Sequence, residues 1–218
     1  MNFLFVALTV LLAAVGYRGY LSLEENLESF FIFNPDQLKQ ISSAALEQHG
    51  NNTEAVVSHI VASLQQIDSV KNHINLEQEW VFNNAGGAMG AMYIIHASIT
   101  EYLIIFGTAL GTEGHTGRHT ADDYFYILKG AELAFVPGQF EPEVYPVGSV
   151  HHLHRGDVKQ YKMESACFAL EYARGWIPPM LPFGYADTFS STFDFPTLWA
   201  TTRITGREMI ANLVKGKL

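Results

Sequence analysis

The chain has 218 residues, enough for one folded domain with appendages. Hydrophobic side chains make up 48% and aromatic ones 13%, against 16% charged, which excludes a disordered chain. A net charge of −9 without a basic cluster speaks against nucleic acid as a partner, and the single cysteine, Cys167, excludes an intramolecular disulfide or a multi-cysteine metal centre.

Residues 3–16 (FLFVALTVLLAAVG) are apolar, and the first charge is Arg18. This run is shorter than the roughly twenty residues that usually span a bilayer, although a tilted helix in a thin membrane needs fewer. A cleaved secretory signal, with Ala14 and Gly16 as its small-x-small site, would carry a basic residue ahead of the apolar run. None precedes it here. The pattern therefore predicts an N-terminal transmembrane anchor over residues 1–20, with too little flanking charge to orient it.

Residues 21–50 read as helical. Asn34 followed by Pro35 predicts a helix start, Leu38, Ile41, Ala45 and Leu46 form one apolar face, and Gly50 ends it. Thr53 is the expected cap of a second helix with Val56, Ile60, Leu64 and Ile67 on its apolar side. From about Trp80 glycines break the pattern and β-branched and aromatic residues accumulate. Turn signals then delimit short strands at 124–129, 131–136, 143–145, 150–154 and 165–172. Strands at this spacing predict an all-β sandwich or barrel, not a doubly wound nucleotide-binding sheet. The aromatic tail from Trp176 predicts two helices, the second beginning near Phe195-Pro196. Its Trp and Tyr residues, with Arg203, Arg207, Lys215 and Lys217 late, suit helices lying in a membrane interface; a helix pair closing a soluble core is the alternative.

The most informative stretch is 80–111 (WVFNNAGGAMGAMYIIHASITEYLIIFGTALG), which holds one formal charge, Glu101. A segment this bare must be wrapped by protein, lipid or an apolar ligand. It runs into TEGHTGRHTADDY, where polar and ionisable groups crowd together.

Four constellations could carry chemistry. His151-His152-Leu153-His154 places His152 and His154 on one strand face, but a metal site would need further ligands, drawn from Glu164 or His115, and solvated histidines beside an Arg-Gly-Asp turn are the simpler reading. Gly86 and Gly90 read as a close backbone approach within a core. Glu171, in CFALEYARGW, ends an almost wholly apolar strand, so its carboxyl should stay protonated near neutrality and serve as a general acid. An ion pair with Arg174 or Arg118 is the structural alternative. Asp122-Asp123 is the source of a second carboxylate, or else a cap on a solvated turn.

The long segments QEWVFNNAGGAMGAMYIIHASITEYLIIFGTALGTEGHTGRHTADDY and LEYARGWIPPMLPFGYADTFSSTFDF resemble the family of fungal sterol C8–C7 isomerases and sigma-1 receptors, with the ADDY and LEYARGWIP wording favouring the isomerase branch. The resemblance covers nearly all of the chain from about Phe30. It implies a mainly β fold with flanking helices: a cupin-like β-barrel over 21–175, the N-terminal transmembrane helix, and two membrane-associated C-terminal helices over 176–218, with family members forming trimers. It also implies sterol C8–C7 isomerisation in the endoplasmic reticulum membrane on the way to ergosterol (fecosterol to episterol), without a metal or other cofactor. Protonation at C9 would leave a cation at C8, and loss of a proton from C7 would complete the shift. Glu171 matches the family's pocket glutamate. A gapless register sets the receptor branch's aspartate at Phe125, so Asp123 or Asp122 must stand in for it. Tyr102 matches the tyrosine expected to orient Glu171, leaving its neighbour Glu101 without a catalytic part. Tyr102, Phe106, Tyr172, Met92, His119 and Leu181 are the expected substrate-binding side chains. Cationic amphiphilic amines should bind as cation mimics. The alternative is a non-enzymatic, sigma-1-receptor-like binding protein or chaperone.

Overall fold

Pro35 lacks an amide proton, and Asn34 before it offers a side-chain acceptor; together they start the first core helix. In the computed structural model, which describes residues 3–218, Asn34 Oδ1 accepts from the amides of Asp36 (2.9 Å) and Gln37 (3.1 Å) at the head of α2 (Pro35–His49). The next helix, α3 (Thr53–Leu64), is capped by Asn52 and not by Thr53. Asn52 Oδ1 reaches the Ala55 amide at 3.2 Å, an Asx cap that shifts the start by one residue.

The chain falls into two compact units, Met1–Phe31 and Ile32–Leu218. The first contains α1 (Phe3–Glu25) and a 3-10 turn at Leu27–Phe30; Met1 and Asn2 of the expected anchor lie outside the described residues. The helix continues through Arg18 to Glu25, so the uncharged run understates its length. Phe5–Glu25 is long and apolar enough to cross a membrane, and Leu8, Val10, Leu11, Leu12 and Val15 are all exposed.

The second unit is built on two antiparallel sheets. One has the order β1 (Trp80–Ala85), β2 (Ala88–Ala97), β3 (Glu101–Thr108), β10 (Cys167–Gly175), β5 (Ala121–Lys129), β8 (Val150–Leu153). The other runs β4 (Thr112–His115), β9 (Gln160–Met163), β6 (Ala131–Phe135), β7 (Glu143–Pro146). The mainly β architecture with flanking helices is as expected. The short β4 and β9 were not foreseen, because four residues of mixed polarity carry almost no periodic signal.

Side-chain alternation along the large sheet sorts its residues into two cores. Tyr93, Ile95, Leu103, Ile105, Leu170 and Tyr172 face α2 and α3, where they meet Leu38, Ala45, Val56, Ile60 and Leu64. Each such aliphatic side chain, wholly withdrawn from water, contributes roughly 1.5–3 kcal/mol before ordering costs. Met92, Ile94, Phe106, Phe125, Ile127 and Ala169 face the opposite way, against Met163, Tyr145 and Tyr161 of the small sheet. The Gly86–Gly90 spacing marks a close approach between strands. A Cβ on Gly90 would lie 2.7 Å from the Gly107 carbonyl oxygen and 2.8 Å from the Phe106 ring.

The tail forms two helices, α4 (Leu181–Asp187) and α5 (Phe195–Val214). A π turn at Thr188–Thr192 ends in a left-handed Phe193, and Asp194 then caps α5 by accepting from Thr197 N at 3.2 Å. α5 lies along β1 and β2 with Ile204, Thr205 and Asn212 buried, and Asn212 donates to the Ala97 carbonyl at 2.9 Å.

Candidate active site

Between the two sheets is a cavity with about 640 Å³ of empty space, open solvent at its mouth included. Phe106, Phe125, Tyr161, Leu153 and Phe183 give it apolar and aromatic walls, and Asn83, Ala85 and Ala88 from the nearly uncharged block close one side. Six acidic or imidazole side chains line it: Glu171, Asp123, Glu132, His115, His119 and His151.

Strand register places them. Across β10, β5 and β8, Glu171 pairs with Phe125, which pairs with His151; in the next row Ala173 pairs with Asp123, which pairs with Leu153. All six side chains point to the same face. Asp123 is therefore diagonal to both Glu171 and His151, a separation that long side chains can span. His119 Nδ1 lies 3.7 Å from Asp123 Oδ2. From the small sheet Glu132 reaches across, its Oε2 3.0 Å from His151 Nδ1, both groups almost wholly buried. Tyr145 stacks on the His151 ring at 4.3 Å.

The two carboxyls on the large sheet have different surroundings. Burial first, then the neighbouring Asp123 and Glu132 carboxylates, push Glu171 well above the usual carboxylate range. Burial also raises Asp123, to about 6, but the imidazoles of His119 and His151 oppose the rise. Buried Asp123 Oδ1, His119 Nδ1 and His151 Nε2 have no hydrogen-bond partner. Unpaired polar atoms cluster where a ligand or water completes them.

Several expected residues are elsewhere. Asp122 is on the outer face of β5, as the residue next to an inward one must be. Its Oδ1 lies 3.2 Å from His152 Nε2 and 3.6 Å from His154 Nδ1, and accepts from the Arg155 amide. These three side chains, and not Glu164 or His115, bring donor atoms within 4.8 Å of one another. Hydrogen bonds from His152 and the Arg155 amide to Asp122 account for the cluster, and no metal role is assigned to it. Tyr172 also faces outward, donating to Glu101 Oε1 at 2.6 Å, so its ring cannot face a substrate in the cavity. Tyr102 faces inward, but its hydroxyl pairs with Thr205 Oγ1 of α5 at 3.1 Å and does not orient Glu171 by a hydrogen bond. Met92 packs in the inner core, and Leu181 stands two residues before Phe183, which takes the place at the cavity wall. Arg118 donates to the Gly156 carbonyl and Arg174 to the Tyr124 hydroxyl, on the face away from Glu171. Glu132 and His151 were not foreseen as a pair. Glu132 is buried between the half-buried Ala131 and Leu133, and nothing in residue order marked it.

Residues 7–217 match the family model described as ERG2 and Sigma1 receptor like protein. The chain belongs to this family. Within it, a C-8 sterol isomerase from Aspergillus fumigatus is 68% identical over 216 residues, covering 99% of this chain and 89% of the relative. A C-8 sterol isomerase from Mycosarcoma maydis is 54% identical over 94% of this chain and 88% of its own. A sigma non-opioid intracellular receptor 1 from Xenopus tropicalis is 35% identical over 83% of this chain and 80% of its own. Among solved structures, an RmlC-like cupin from Shewanella frigidimarina aligns with 47% of this chain and 90% of its own at 12% identity and a TM-score of 0.39. All the family members named here as isomerases resemble this chain more than the receptor does.

Proposed function

We propose that this protein is a C-8 sterol isomerase that moves the sterol double bond from C8 to C7, converting fecosterol to episterol. The observation that carries this reading is the pair of carboxyls, Glu171 and Asp123, set diagonally in one apolar cavity with their proton affinities driven apart by different neighbours. The 68% and 54% identities to C-8 sterol isomerases, against 35% to a sigma receptor, favour catalysis over ligand binding alone.

The stronger upward push on Glu171, against the rise of Asp123 that His119 and His151 oppose, supports Glu171 as the donor and Asp123 as the acceptor. Glu171 donates to C9; the π electrons of C8=C9 form the new C–H bond and leave a cation at C8. Asp123 then removes a proton from C7, and that bond's electrons become C7=C8. The faces of Phe106, Phe125 and Tyr161 can stabilise the cation, each by roughly 0.5–2 kcal/mol when dry. The shift conserves atoms and electrons, so two carboxyls in opposite states suffice. An amphiphilic amine in the same cavity would present its ammonium where the cation forms.

The protein acts at the endoplasmic reticulum membrane, anchored by α1. The exposed Phe189, Phe193, Phe195, Trp199, Ile210, Leu213 and Val214 of the C-terminal helices support an apolar contact with the bilayer surface. Its assembly is a trimer, on the family pattern. Purified protein incubated with fecosterol should yield episterol, and the Glu171→Gln variant should not. Unchanged fecosterol beside intact amine binding would establish the receptor-like reading instead.

A further inference from the structure

The two-carboxyl scheme leaves the enzyme, after each turnover, with its proton on the wrong group. Glu171 has lost one and Asp123 has gained one. A second turnover requires a proton to leave Asp123 and one to return to Glu171. Two buried groups in the cavity have no part in the scheme so far, Glu132 and His151.

Their arrangement is that of a general base with its orienting carboxylate. Glu132 Oε2 lies 3.0 Å from His151 Nδ1, so Nδ1 carries the proton and donates to the carboxylate, and the Tyr145 ring stacked at 4.3 Å fixes the imidazole plane. This leaves Nε2 as the free ring nitrogen, and Nε2 is buried without a hydrogen-bond partner. Asp123 Oδ1, on the diagonal position of the neighbouring strand, is likewise buried and unpartnered. His151 also stands in the same row as Glu171, with Phe125 between them.

We propose that His151, oriented by Glu132, takes the proton that Asp123 has removed from the substrate and returns it to Glu171. This rests on the isomerase reading. The steps balance. The C7–H bond breaks and its electrons form C7=C8, while the proton goes to Asp123. It passes from there to His151 Nε2, giving an imidazolium paired with the Glu132 carboxylate. Transfer to the Glu171 carboxylate then restores the starting state, so no proton is consumed. His151 and Glu132 act through Asp123 and Glu171 and are positioning and relay residues. The groups facing His151 are Glu132 from β6, Asp123 from β5, Tyr145 from β7, and, around the same cavity, His115 from β4, Tyr161 from β9, Glu171 from β10 and His119 before β5.

The test uses full-length protein and a Δ8-sterol, comparing wild type with Glu132→Gln and His151→Asn. Glutamine keeps an acceptor for Nδ1–H without the charge, and asparagine keeps a donor towards Glu132 without a titrating nitrogen. In each, kcat should fall about tenfold or more while KM stays within about twofold. In His151→Asn the acid limb of the kcat profile should also move to higher pH, because an imidazole that opposes the rise of Asp123 is gone. Wild-type kcat with an unmoved limb in a folded variant overturns the proposal. So does a raised KM with unchanged kcat, which would make the pair a binding contact for the sterol. If both variants unfold, the wild-type profile decides: kcat without an acid limb overturns the relay. If wild type leaves the Δ8-sterol unchanged, the isomerase reading fails and the relay falls with it, whereas a sound wild type beside unaffected variants sinks the relay alone.

Discussion

Glu101 Oε2 and Lys217 Nζ meet at 2.9 Å with both side chains almost wholly out of water. The same carboxylate accepts from the amides of Ile32 (2.8 Å) and Phe33 (3.1 Å) and from the Tyr172 hydroxyl (2.6 Å). The single charge of the apolar block is therefore a junction joining the start of the folded unit, β3, β10 and the tail. A buried ion is tolerated only when its partners are as complete as this.

That junction predicts unequal costs for removing its two charges. Glu101→Gln strands a buried ammonium and should destabilise the protein by about 3–5 kcal/mol. Lys217→Met leaves the carboxylate its three donors and should cost less. Urea unfolding of both variants would check this, and a larger loss for Lys217→Met would show that the carboxylate is not what holds the junction.

Alternation along β5 predicts opposite outcomes for adjacent aspartates. Asp123→Asn, facing the cavity, should lower turnover of a Δ8-sterol by roughly a hundredfold or more, as should Glu171→Gln. Asp122→Asn, facing outward to His152 and His154, should leave turnover nearly unchanged. Equal losses in the two aspartate variants would contradict the placement of their side chains.

Turnover should rise as pH increases through about 6, where Asp123 ionises and becomes a base, and fall again at higher pH as Glu171 gives up its proton. A rate profile from pH 5 to 9 reads both limbs. An activity that climbs steadily across the range would argue against a protonated Glu171.

The same two groups should make the fold weaker as pH rises. Each binds its proton more tightly folded than unfolded, so the stability it confers is full below the unfolded range near 4 and is lost as pH rises through the folded value. At pH 8 an ionised Asp123 costs about 1–3 kcal/mol. Asp123→Asn should therefore melt at a higher temperature than wild type at pH 8, with the gain vanishing near pH 4.

Gly90→Ala should cost about 1–3 kcal/mol, since the added methyl would press on the Gly107 carbonyl and the Phe106 ring. Thermal denaturation would measure it, and a neutral result would mean that β2 and β3 can part without loss.

Much of this architecture was legible in residue order. Leu38, Ala45, Val56, Ile60 and Leu64 recur at helical spacing, and all are buried on the expected faces. Glu171 was marked by its own setting, because a carboxyl at the end of CFAL has almost nowhere polar to go. The choice between Asp122 and Asp123 was not legible, since one residue of register decides which side of a sheet each occupies. Glu132 and His151 were hidden for a related reason. They lie nineteen residues apart on different sheets, and only the facing of those sheets makes them neighbours. Tyr172 went astray because an aromatic side chain next to a pocket residue in sequence lies on the opposite face of its strand.

Tyr172 follows Glu171 directly in the chain, and its hydroxyl is held by the carboxylate that Lys217 neutralises. The residues around Lys217 thus act as a tie-rod on the strand that carries Glu171, setting how firmly its carboxyl is aimed from behind. A tail that loosened would blur the position of the Glu171 carboxyl before it unfolded the sheet.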